Sequence, residues 1–593
     1  MRFTLKSLLF GLGLAAGLVL PACGGGAGAV NEVNVSLLAF DDLHGKLENG
    51  ASALLADPAN PNGTKVSLGG VAYMTTLIKS LKAENPQGTL VIANGDLIGA
   101  APLISRAFHD EPTIEVLNEM GLAVASVGNH EFDKGKDELV RLTQGGCFKG
   151  GVVGVDTCLV NGKFSGANFQ YLAANVIDTS TGKSLLPGYT IKTVNGVKVG
   201  FIGLTLAATP SVVAAGGTDG LTFNDEVKTI NDLVPELKKQ GVAMIAVLLH
   251  NGGTTTAKVI NDQTCPGLSV DIASLTDQIS PDVDVVYNGH SHQGYNCVRP
   301  DGKLLVNSAN YGQLISKTDL TIDLNANKVI KKSAYNHAVV NDLVVKDAVG
   351  APIPVPAAYK VLTKDRVVDQ MVAFYKNLIK PITDQVVGTI NAAMSAVPNQ
   401  AGESVLADFI ADVFLWETSQ RPAYVSNPAQ IAFTNLGGVR ADLPNSTVTF
   451  GNLNDVLPFG NMAVTKDLTG SQIYRLLEQQ WESPQPSGNA RMLAFSKSFA
   501  YSWDASKPAG AAPGTGNRVV SGSVKVNGTP IDLAKTYRVT SNDYIANGGD
   551  NMSVMKLGTN AQDGRLDLDF TKDYFKTFGG VIAPDPTRVT KIN

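Results

Sequence analysis

Short apolar runs recur along the first half of the chain, and polar, glycine-containing segments separate them. Runs of this length, bounded by such segments, are typical of buried strands. The runs comprise residues 34–40, 89–93, 123–127, 199–204, 244–249 and 283–287. Residues 70–83 and 113–120 instead have helical character, with a helical spacing of apolar residues in the first of them. Strands that alternate with helices predict an α/β layered domain.

Five of these runs are followed directly by Asp, Asn or His residues in a glycine-containing loop. The five segments are Asp41-Asp42-Leu43-His44-Gly45, Asn94-Gly95-Asp96, Gly128-Asn129-His130-Glu131-Phe132-Asp133, His250-Asn251-Gly252-Gly253 and Asn288-Gly289-His290-Ser291-His292. Ligands of open α/β sheets gather at the carboxyl ends of the strands, and loops there hold polar groups on a rigid base. We therefore expect these side chains to converge.

The chain has seven histidines, and five of them lie at these strand ends. The other two, His109 and His337, match no motif, and we interpret them as surface or packing residues. Imidazole, carboxylate and amide ligands without a thiolate suit zinc, manganese, iron, cobalt or nickel and do not suit calcium. Two neighbouring ions need a bridging carboxylate, and Asp96, which follows a glycine, is placed to approach both.

A chain of 593 residues is too long for one hydrophobic core, so we expect at least two domains. Residues 349–356 are rich in Pro and Ala, and an amphipathic helix is predicted over 366–379, ending at Pro381. Its apolar stripe comprises Val367, Met371, Phe374, Tyr375 and Leu378. From Val386 onward strand and helix patterns resume without any histidine. We predict a domain over 33–345, a linker with a connecting helix over 346–385, and a second domain over 386–593.

The N-terminus has the pattern of an export signal. Arg2 and Lys6 precede an apolar run that is too short for a membrane span, which favours a signal peptide over 1–22 and a flexible tether over 23–32. A small residue before Cys23 is similar to the lipobox of bacterial lipoproteins. We favour a lipid anchor at Cys23; the alternative is an ordinary signal peptide in which Cys23 is incidental. The expected location is periplasmic, or anchored to the outer membrane as a lipoprotein.

Four cysteines remain after Cys23, and an even number in an exported chain indicates two disulfides. Four cysteines allow three pairings, of which we favour Cys147–Cys158 and Cys265–Cys297; free buried thiols are the alternative. A net charge of -5 and the absence of a Lys/Arg block argue against binding of nucleic-acid polymers.

The order DxH, GD, GNHE, H and GHxH along these loops resembles the dinuclear metallophosphoesterases, and GNHEFDKG at 128–135 is similar to their 5'-nucleotidase branch. The resemblance implies a four-layer αββα N-terminal domain and two divalent metal ions, such as zinc, manganese or cobalt. By the same resemblance, one ion would be held by Asp42, His44, Asp96 and His292, and the other by Asp96, Asn129, His250 and His290.

The resemblance also assigns two catalytic residues. His130 would face the substrate phosphate and stabilise charge on the leaving group, and Asp133 would hold its imidazole in place. Hydrolysis of a phosphate ester develops negative charge, which two cations neutralise while they lower the pKa of a bound water. A cationic histidine adds to this stabilisation.

Segments of the second half resemble the substrate-binding α/β domain of the 5'-nucleotidases: NLGGVRAD at 435–442, LPFGN at 457–461, LTG at 468–470 and GGD at 548–550. The resemblance implies that Phe459 and Tyr544 sandwich a base, where stacking is worth ~1–3 kcal/mol per ring. Asp550 would bind ribose hydroxyls, Asn461 the base edge and Arg440 the phosphate. The alternative for both aromatic residues is simple packing.

Three features depart from the family pattern. Leu436 stands where glycine is usual, Asn551 follows Gly-Gly-Asp where glycine is usual, and residues 388–420 contain no arginine, although relatives place one or more there for phosphate. Glycine has a backbone freedom that asparagine lacks.

These observations predict an exported, monomeric, metal-dependent phosphohydrolase. Its substrates would be nucleoside 5'-phosphates, with nucleotide sugars or 2',3'-cyclic nucleotides as further candidates, and it would contact the membrane only through a lipid anchor. One alternative is a broad phosphatase or phosphodiesterase acting on other phosphoesters. A second is a binding protein on a catalytically retired scaffold, against which the complete ligand set argues.

Overall fold

The computed structural model describes residues 31–48, 52–57, 60–213, 216–346, 351–444, 446–483 and 491–593. The predicted signal segment and Cys23 lie outside the described residues. The helices that are described include none with the length and apolarity needed to cross a bilayer.

Strands and helices alternate along the N-terminal half, as the hydrophobic pattern predicts. The strands are β1 (Glu32–Phe40), β2 (Ser52–Asp57), β3 (Asn60–Ser67), β4 (Thr89–Asn94), β5 (Leu122–Ser126), β6 (Gln170–Leu172), β7 (Val176–Asp178), β8 (Lys183–Ser184), β9 (Tyr189–Val194), β10 (Val197–Thr205), β11 (Leu221–Phe223), β12 (Met244–His250), β13 (Val285–Asn288), β14 (Gly294–Val298), β15 (Leu304–Ser308), β16 (Leu314–Asp323) and β17 (Lys328–Ala338). The helices are α1 (Val71–Lys82), α2 (Leu103–Arg106), α3 (Glu111–Met120), α4 (Lys136–Gln144), α5 (Glu226–Lys239) and α6 (Val270–Gln278).

Two six-stranded sheets form the centre of this half. One has the strand order β17-β16-β1-β4-β5-β6 and the other β14-β15-β13-β12-β10-β9. A hydrophobic core between them joins Leu37 and Ile92 of the first sheet to Phe201 and Leu248 of the second. The outer face of the first sheet packs against α1 and α3, and that of the second against α5 and α6. The result is a four-layer αββα arrangement.

Within each sheet the central strands are parallel, so their carboxyl ends point in one direction. Strands β1, β4 and β5 pair in parallel, and so do β10, β12, β13 and β15. Every residue of β12 is buried, as expected for a strand covered on both faces. This geometry brings the loops after β1, β4, β5, β12 and β13 to one edge of the paired sheets.

The C-terminal half is a second mixed α/β unit, connected through α7 (Arg366–Thr383). Its strands are β18 (Val386–Ile390), β19 (Ile431–Asn435), β20 (Thr447–Thr449), β21 (Met462–Thr469), β22 (Leu493–Phe495), β23 (Phe499–Asp504), β24 (Lys525–Val526), β25 (Thr529–Pro530), β26 (Thr536–Asn542), β27 (Thr559–Leu566), β28 (Gly580–Val581) and β29 (Val589–Ile592). Its helices are α8 (Val405–Gln420), α9 (Phe450–Val456), α10 (Gly470–Gln479), α11 (Asp543–Ala546) and α12 (Asp567–Phe578). A five-stranded sheet, β22-β19-β26-β21-β27, has α8 and α12 on one face and α10 on the other.

Helix α7 differs from its prediction in two respects. Pro381 does not end it, because a proline in the final turn removes only one backbone hydrogen bond, and the helix continues to Thr383. The stripe that faces the protein comprises Val368, Val372, Tyr375 and Ile379. Of the predicted stripe, Tyr375 is buried and Met371 is partly buried. The prediction was wrong for Val367, Phe374 and Leu378, which are exposed. The helix has two adjacent apolar stripes, and the sequence alone does not indicate which one meets α1 and α3.

Both predicted disulfides are present. Cys147 is bonded to Cys158 across 11 residues, and Cys265 to Cys297 across 32 residues. The second bond ties the loop that precedes α6 to the edge strand β14.

Candidate active site

The predicted metal ligands meet where the strand ends of the two sheets adjoin. Several of them have a left-handed backbone, which non-glycine residues adopt at an energetic cost and which clusters at functional sites. These residues are Asp42, His44, Asp96, His290 and His292, with φ between 49° and 70°. Two glycines allow this crowding. A Cβ at Gly128 would lie 2.2 Å from Asp96 Oδ1, and one at Gly95 would lie 2.6 Å from His250 Nδ1.

One group of donors comprises Asp42, His44 and His292, with Asp96 beside it. The Nε2 atoms of His44 and His292 are 3.2 Å apart, and His292 Nε2 is 3.3 Å from Asp42 Oδ1. His44 Nε2 is 3.7 Å from Asp96 Oδ2. Asp42 also accepts the backbone N–H of His290, at 2.9 Å from its Oδ2.

A second group comprises Asp96, His250 and His290. His250 Nε2 lies 3.0 Å from Asp96 Oδ2, and His290 Nδ1 lies 2.9 Å from Asn129 Oδ1. Asp96 is thus common to both groups. The structure brings all seven predicted ligands together in one cluster.

The donor set fits cations. The Nδ1–H groups of His44 and His250 donate to the carbonyl oxygens of Gly99 and Asn94, so their Nε2 lone pairs face the carboxylates. Within the described part of the chain, the buried Nε2 atoms of His250 and His290 have no hydrogen-bond partner. Lone pairs and carboxylates that face each other in a buried site repel unless a positive charge lies between them.

The carboxylates of the cluster also draw positive charge onto the histidines themselves. Burial alone would raise the pKa of Asp96, but the charges of His250 and His130 outweigh it and hold that pKa well below its ordinary value. Burial alone would lower the pKa of His250, but the Asp96 carboxylate raises it to about 10. The site therefore favours charged carboxylates beside positive charge.

Glu131 fixes the loops that carry the ligands, a role that the sequence analysis missed. It is buried, and its carboxylate accepts the backbone N–H groups of Asp96 (2.9 Å), Leu97 (2.8 Å) and Gly128 (2.5 Å). The loop after β4 is thereby tied to the loop after β5. Its position next to His130 in GNHE is the signal that would have identified it.

His130 and Asp133 lie beside the cluster in the predicted arrangement. Asp133 Oδ2 accepts a hydrogen bond from His130 Nδ1 at 2.8 Å, and the backbone N–H of His130 donates to Asp96 Oδ1 at 2.8 Å. Burial lowers the pKa of His130, but the carboxylates of Asp133 and Asp96 outweigh it and raise the net value. The Nδ1 bond fixes the ring and leaves Nε2 available for a substrate.

A cavity of about 340 Å³ joins the metal cluster to the C-terminal half. Its lining comprises Asp96, Asn129, His130, Asp133, Val212, His290, Ser291, His292, Asn435, Gly437, Gly438, Arg440, Phe459, Asn461, Arg491, Tyr544 and Asp550. All five residues predicted to bind substrate are among them. The sequence analysis assigned no role to Val212, Ser291, Asn435 or Arg491. Ser291 and Asn435 lie within its motifs, whereas no motif marks Val212 or Arg491.

The predicted base-binding residues are held by defined contacts. The Tyr544 hydroxyl donates to Asp550 Oδ1 at 2.9 Å, and the Tyr544 ring lies against the backbone of Gly549, where a Cβ would be 2.6 Å from its carbons. The Phe459 ring centre is 5.8 Å from that of His130. Arg440 lies over the Phe459 ring, with its guanidinium carbon 5.7 Å from the ring centre. The aromatic residues and the metal cluster therefore line the same cavity.

Two of the departures from the family pattern have local explanations. Leu436 is partly buried and packs against the core of the C-terminal half, in a short 3₁₀ helix, Leu436–Gly438. Asn551 has a φ of 60°, the left-handed conformation that asparagine tolerates better than most non-glycine residues. Neither substitution disrupts its loop.

His109 and His337 lie outside the cluster, as the sequence analysis expected. The ring of His109 stacks on Phe148 with 3.7 Å between ring centres, and that of His337 contacts Tyr335 edge-on at 4.8 Å. Both are packing contacts.

Comparison with known proteins agrees with the fold and the site. The family model "5'-nucleotidase, C-terminal domain" matches residues 386–557. The chain is 31% identical over 554 residues to Endonuclease YhcR of Bacillus subtilis, covering 93% of this chain and 40% of that protein. It is 28% identical over 583 residues to cell wall protein Lmo0130 of Listeria monocytogenes, covering 92% of this chain and 67% of that protein.

A solved structure, the 5'-nucleotidase precursor of Thermus thermophilus, superimposes with a TM-score of 0.73 at 26% identity, covering 95% of this chain and all of the other. Fold and site together define a metallophosphoesterase, a class of metal-dependent hydrolases, with an appended α/β domain. The chain carries a 5'-nucleotidase C-terminal domain and shares the two-domain architecture of this 5'-nucleotidase precursor.

Proposed function

We propose that the chain hydrolyses nucleoside 5'-phosphates with the aid of two divalent metal ions. One observation carries this proposal: a single cavity is lined both by the histidine and carboxylate cluster and by Phe459, Tyr544 and Asp550. A phosphate at the cluster would leave its nucleoside within the same cavity, beside the aromatic residues. The proposed domains are 33–345 for the metal cluster and 386–593 for the nucleoside, joined by 346–385.

The proposed ligands of one ion are Asp42, His44, Asp96 and His292, and those of the other are Asp96, Asn129, His250 and His290. Divalent ions bound there would supply the positive charge that polarises a phosphoryl group and activates a water. Zinc, manganese and cobalt suit this set of nitrogen and oxygen donors.

Residues of the chain supply the remaining steps. His130, oriented by Asp133, presents Nε2 to the phosphate and stabilises charge on the leaving oxygen. Arg440 neutralises phosphate charge, and Phe459 and Tyr544 enclose the base. Each group is held in place before the substrate arrives, which reduces the reorganisation needed in the transition state.

Asp550 and Asn461 complete the nucleoside end. Asp550 accepts hydrogen bonds from ribose hydroxyls, and the Tyr544 hydroxyl keeps its carboxylate in place. Asn461 contacts the base edge. Nucleotide sugars and 2',3'-cyclic nucleotides are further proposed substrates.

The proposed location is outside the cytoplasm, in the periplasm or on the outer membrane, as a monomer anchored through a lipid on Cys23. Two disulfides support an oxidising compartment, and a cell-wall protein is among the relatives. Replacement of Cys23 by Ser, followed by cell fractionation, tests the anchor. Persistence of the variant in the membrane fraction would contradict it.

The activity is tested with purified chain, with and without chelator, on AMP, a UDP-sugar, 2',3'-cyclic AMP, p-nitrophenyl phosphate and single-stranded DNA. We expect chelator-sensitive turnover of AMP, restored by added metal, and no cleavage of DNA. Turnover of p-nitrophenyl phosphate with equal or higher kcat/KM than the nucleotides would favour the broad phosphatase. Absence of turnover in metal-loaded protein would refute the proposal.

A further inference from the structure

Lys466 is a buried lysine on β21 in the C-terminal half, and it is not one of the residues that line the cavity. Its ammonium group donates to the carbonyl oxygens of Ala546 at 2.7 Å and Met555 at 3.2 Å. Gly558 lies against the aliphatic part of the side chain, where a Cβ would be 3.0 Å from the Cβ and Cδ atoms of Lys466. Burial of an ammonium group is costly unless its hydrogens are bonded, so these two carbonyl groups determine where the side chain ends.

The two carbonyl groups flank residues 547–554, the segment that contains Asp550. Ala546 is the last residue of α11, and Met555 lies in a short 3₁₀ helix. Asp550 lines the cavity and is the residue proposed to bind ribose hydroxyls. One ammonium group therefore joins both ends of the segment that presents this carboxylate.

The backbone of this segment requires support from its surroundings. Asp550 and Asn551 have φ angles of 53° and 60°, the left-handed conformation, which costs more in these residues than in glycine. Such a conformation persists only where contacts with the rest of the structure hold it. Lys466 supplies two of these contacts, so its loss should let Asp550 leave its position in the cavity wall.

Gln479, the last residue of α10, supports the same segment. Its side chain is buried, its amide nitrogen donates to Ser553 Oγ at 2.7 Å, and its amide oxygen accepts the backbone N–H of Val554 at 3.0 Å. Lys466 lies on the sheet and Gln479 on a helix that packs against it. The segment is therefore anchored to two elements of the core.

We propose that Lys466, assisted by Gln479, is a positioning residue for substrate recognition: it keeps Asp550 where the carboxylate meets the ribose, and so makes turnover depend on the nucleoside part of the substrate. This inference rests on the proposed function and extends it to residues behind the cavity wall. Because Lys466 lies outside the metal cluster, its loss should weaken nucleotides and spare simple phosphate esters.

The first test is the binding of adenosine to chelator-treated protein, measured by calorimetry. Adenosine has the ribose but no phosphate, so the measurement depends on neither metal nor turnover. Lys466→Met keeps a long unbranched side chain and removes both hydrogen bonds. Loss of a charged hydrogen bond to the ribose corresponds to roughly 10- to 100-fold in affinity, and we expect a loss of that size.

Arg538→Met is the matched control. Arg538 is a buried cation on the neighbouring strand β26, and it donates to Asp467 Oδ1 at 3.0 Å and Thr465 Oγ1 at 2.6 Å, on either side of Lys466 in β21. Its loss should destabilise the same strand without releasing the segment 547–554. Adenosine affinity should therefore stay unchanged in Arg538→Met.

The second test is turnover of AMP and of p-nitrophenyl phosphate, which has no ribose, by metal-loaded protein. We expect Lys466→Met to raise KM for AMP with little change in kcat, because the lost contact binds substrate and transition state alike. The kcat/KM for p-nitrophenyl phosphate should stay unchanged. Equal losses for both substrates would mean that Lys466 supports the whole fold and has no part in selectivity.

A double variant shows whether Lys466 acts through Asp550. Asp550→Ala should itself weaken adenosine. Adding Lys466→Met to it should cause little further loss, because two residues that act through one contact are not additive. Additive losses in affinity would mean that Lys466 acts elsewhere and would overturn the inference.

Ser553→Ala provides a milder variant in case Lys466→Met does not fold. It removes only an exposed hydroxyl, the acceptor of the Gln479 amide, and loss of a neutral hydrogen bond corresponds to about 2- to 10-fold in adenosine affinity. Wild-type affinity in this variant or in Lys466→Met would refute the inference alone. Wild-type protein that binds no adenosine would refute the proposed nucleoside site, and the inference with it.

Discussion

Glu131→Gln tests whether a buried carboxylate, and not the ligands alone, shapes the metal site. Both oxygens of Glu131 accept backbone N–H groups, one from Leu97 and the other from Asp96 and Gly128. Glutamine has the same shape, but its amide nitrogen cannot accept a hydrogen bond. Whichever way the amide is turned, at least one buried N–H loses its acceptor and faces another donor.

The size of the expected loss of stability follows from the number of backbone N–H donors that Glu131 accepts. Each buried N–H left without an acceptor costs about 1–3 kcal/mol. In one orientation of the glutamine amide the Leu97 N–H has no acceptor, and in the other the Asp96 and Gly128 N–H groups have none. The free energy of unfolding therefore falls by at least about 1–3 kcal/mol. Because these N–H groups belong to the loops that carry Asp96 and Asn129, we expect the predicted ligands to lose their alignment. For groups that orient metal ligands, the expected loss of metal affinity is about 10- to 100-fold.

The assay is competition for bound metal with a chelator of known affinity, combined with thermal unfolding of the metal-free protein. Glu111→Gln is a matched control. Glu111 is equally buried in the same half and accepts the backbone N–H of Cys158 at 2.7 Å, and its side-chain partners, Arg141 and Thr157, are not predicted metal ligands. Both variants should unfold at lower temperature, and only Glu131→Gln should bind metal more weakly. Unchanged affinity in Glu131→Gln, or an equal loss in Glu111→Gln, would refute the reasoning.

Three further predictions concern turnover, pH and cross-linking. His130→Ala should lower kcat by about 10²- to 10⁴-fold while the metal content stays the same; full turnover would exclude its assigned role. Burial raises the pKa of Asp567 to about 7 from an ordinary value of 3.8, so the folded state binds the proton more tightly and stability falls as pH rises from about 4 to 7. Asp567→Asn should flatten this dependence in thermal unfolding between pH 4.5 and 8, and a slope equal to that of the wild type would contradict it. Replacing Cys265 and Cys297 by Ser opens a 32-residue loop and should lower the free energy of unfolding by about 4 kcal/mol in denaturant titration; a change below about 1 kcal/mol would count against the bond.

The sequence predicted the parallel strands and the convergence of their polar ends because both follow from local patterns. A continuous apolar run such as 244–249 indicates a strand covered on both faces, and the residue after it must lie at the sheet edge. The predicted ligands Asp42, Asp96 and His250 are each within two residues of such an end. Strand direction therefore fixes most of the cluster before any tertiary contact is known.

Two features depend on long-range packing and could not be predicted from the sequence: the buried face of α7 and the position of Arg491. Helix α7 has two apolar stripes, and only its contacts with α1 and α3 select the one that includes Val368 and Val372. Arg491 lies far along the chain from the metal ligands, and no local pattern marks it as a cavity residue. Its place depends on how the segment before β22 is anchored to Gln480.

The division of the cavity between two halves of the chain has a consequence for how mutations should act on this protein. Under the proposed function, we expect changes on the loops after β1, β4, β5, β12 and β13 to alter the rate at which a bound ester reacts. We expect changes near Phe459 and Asp550 to alter which ester is bound. Selectivity can therefore change by single substitutions in the C-terminal half while the reactive machinery keeps its geometry. A protein built in this way can acquire new substrates while it retains its hydrolytic activity at every step.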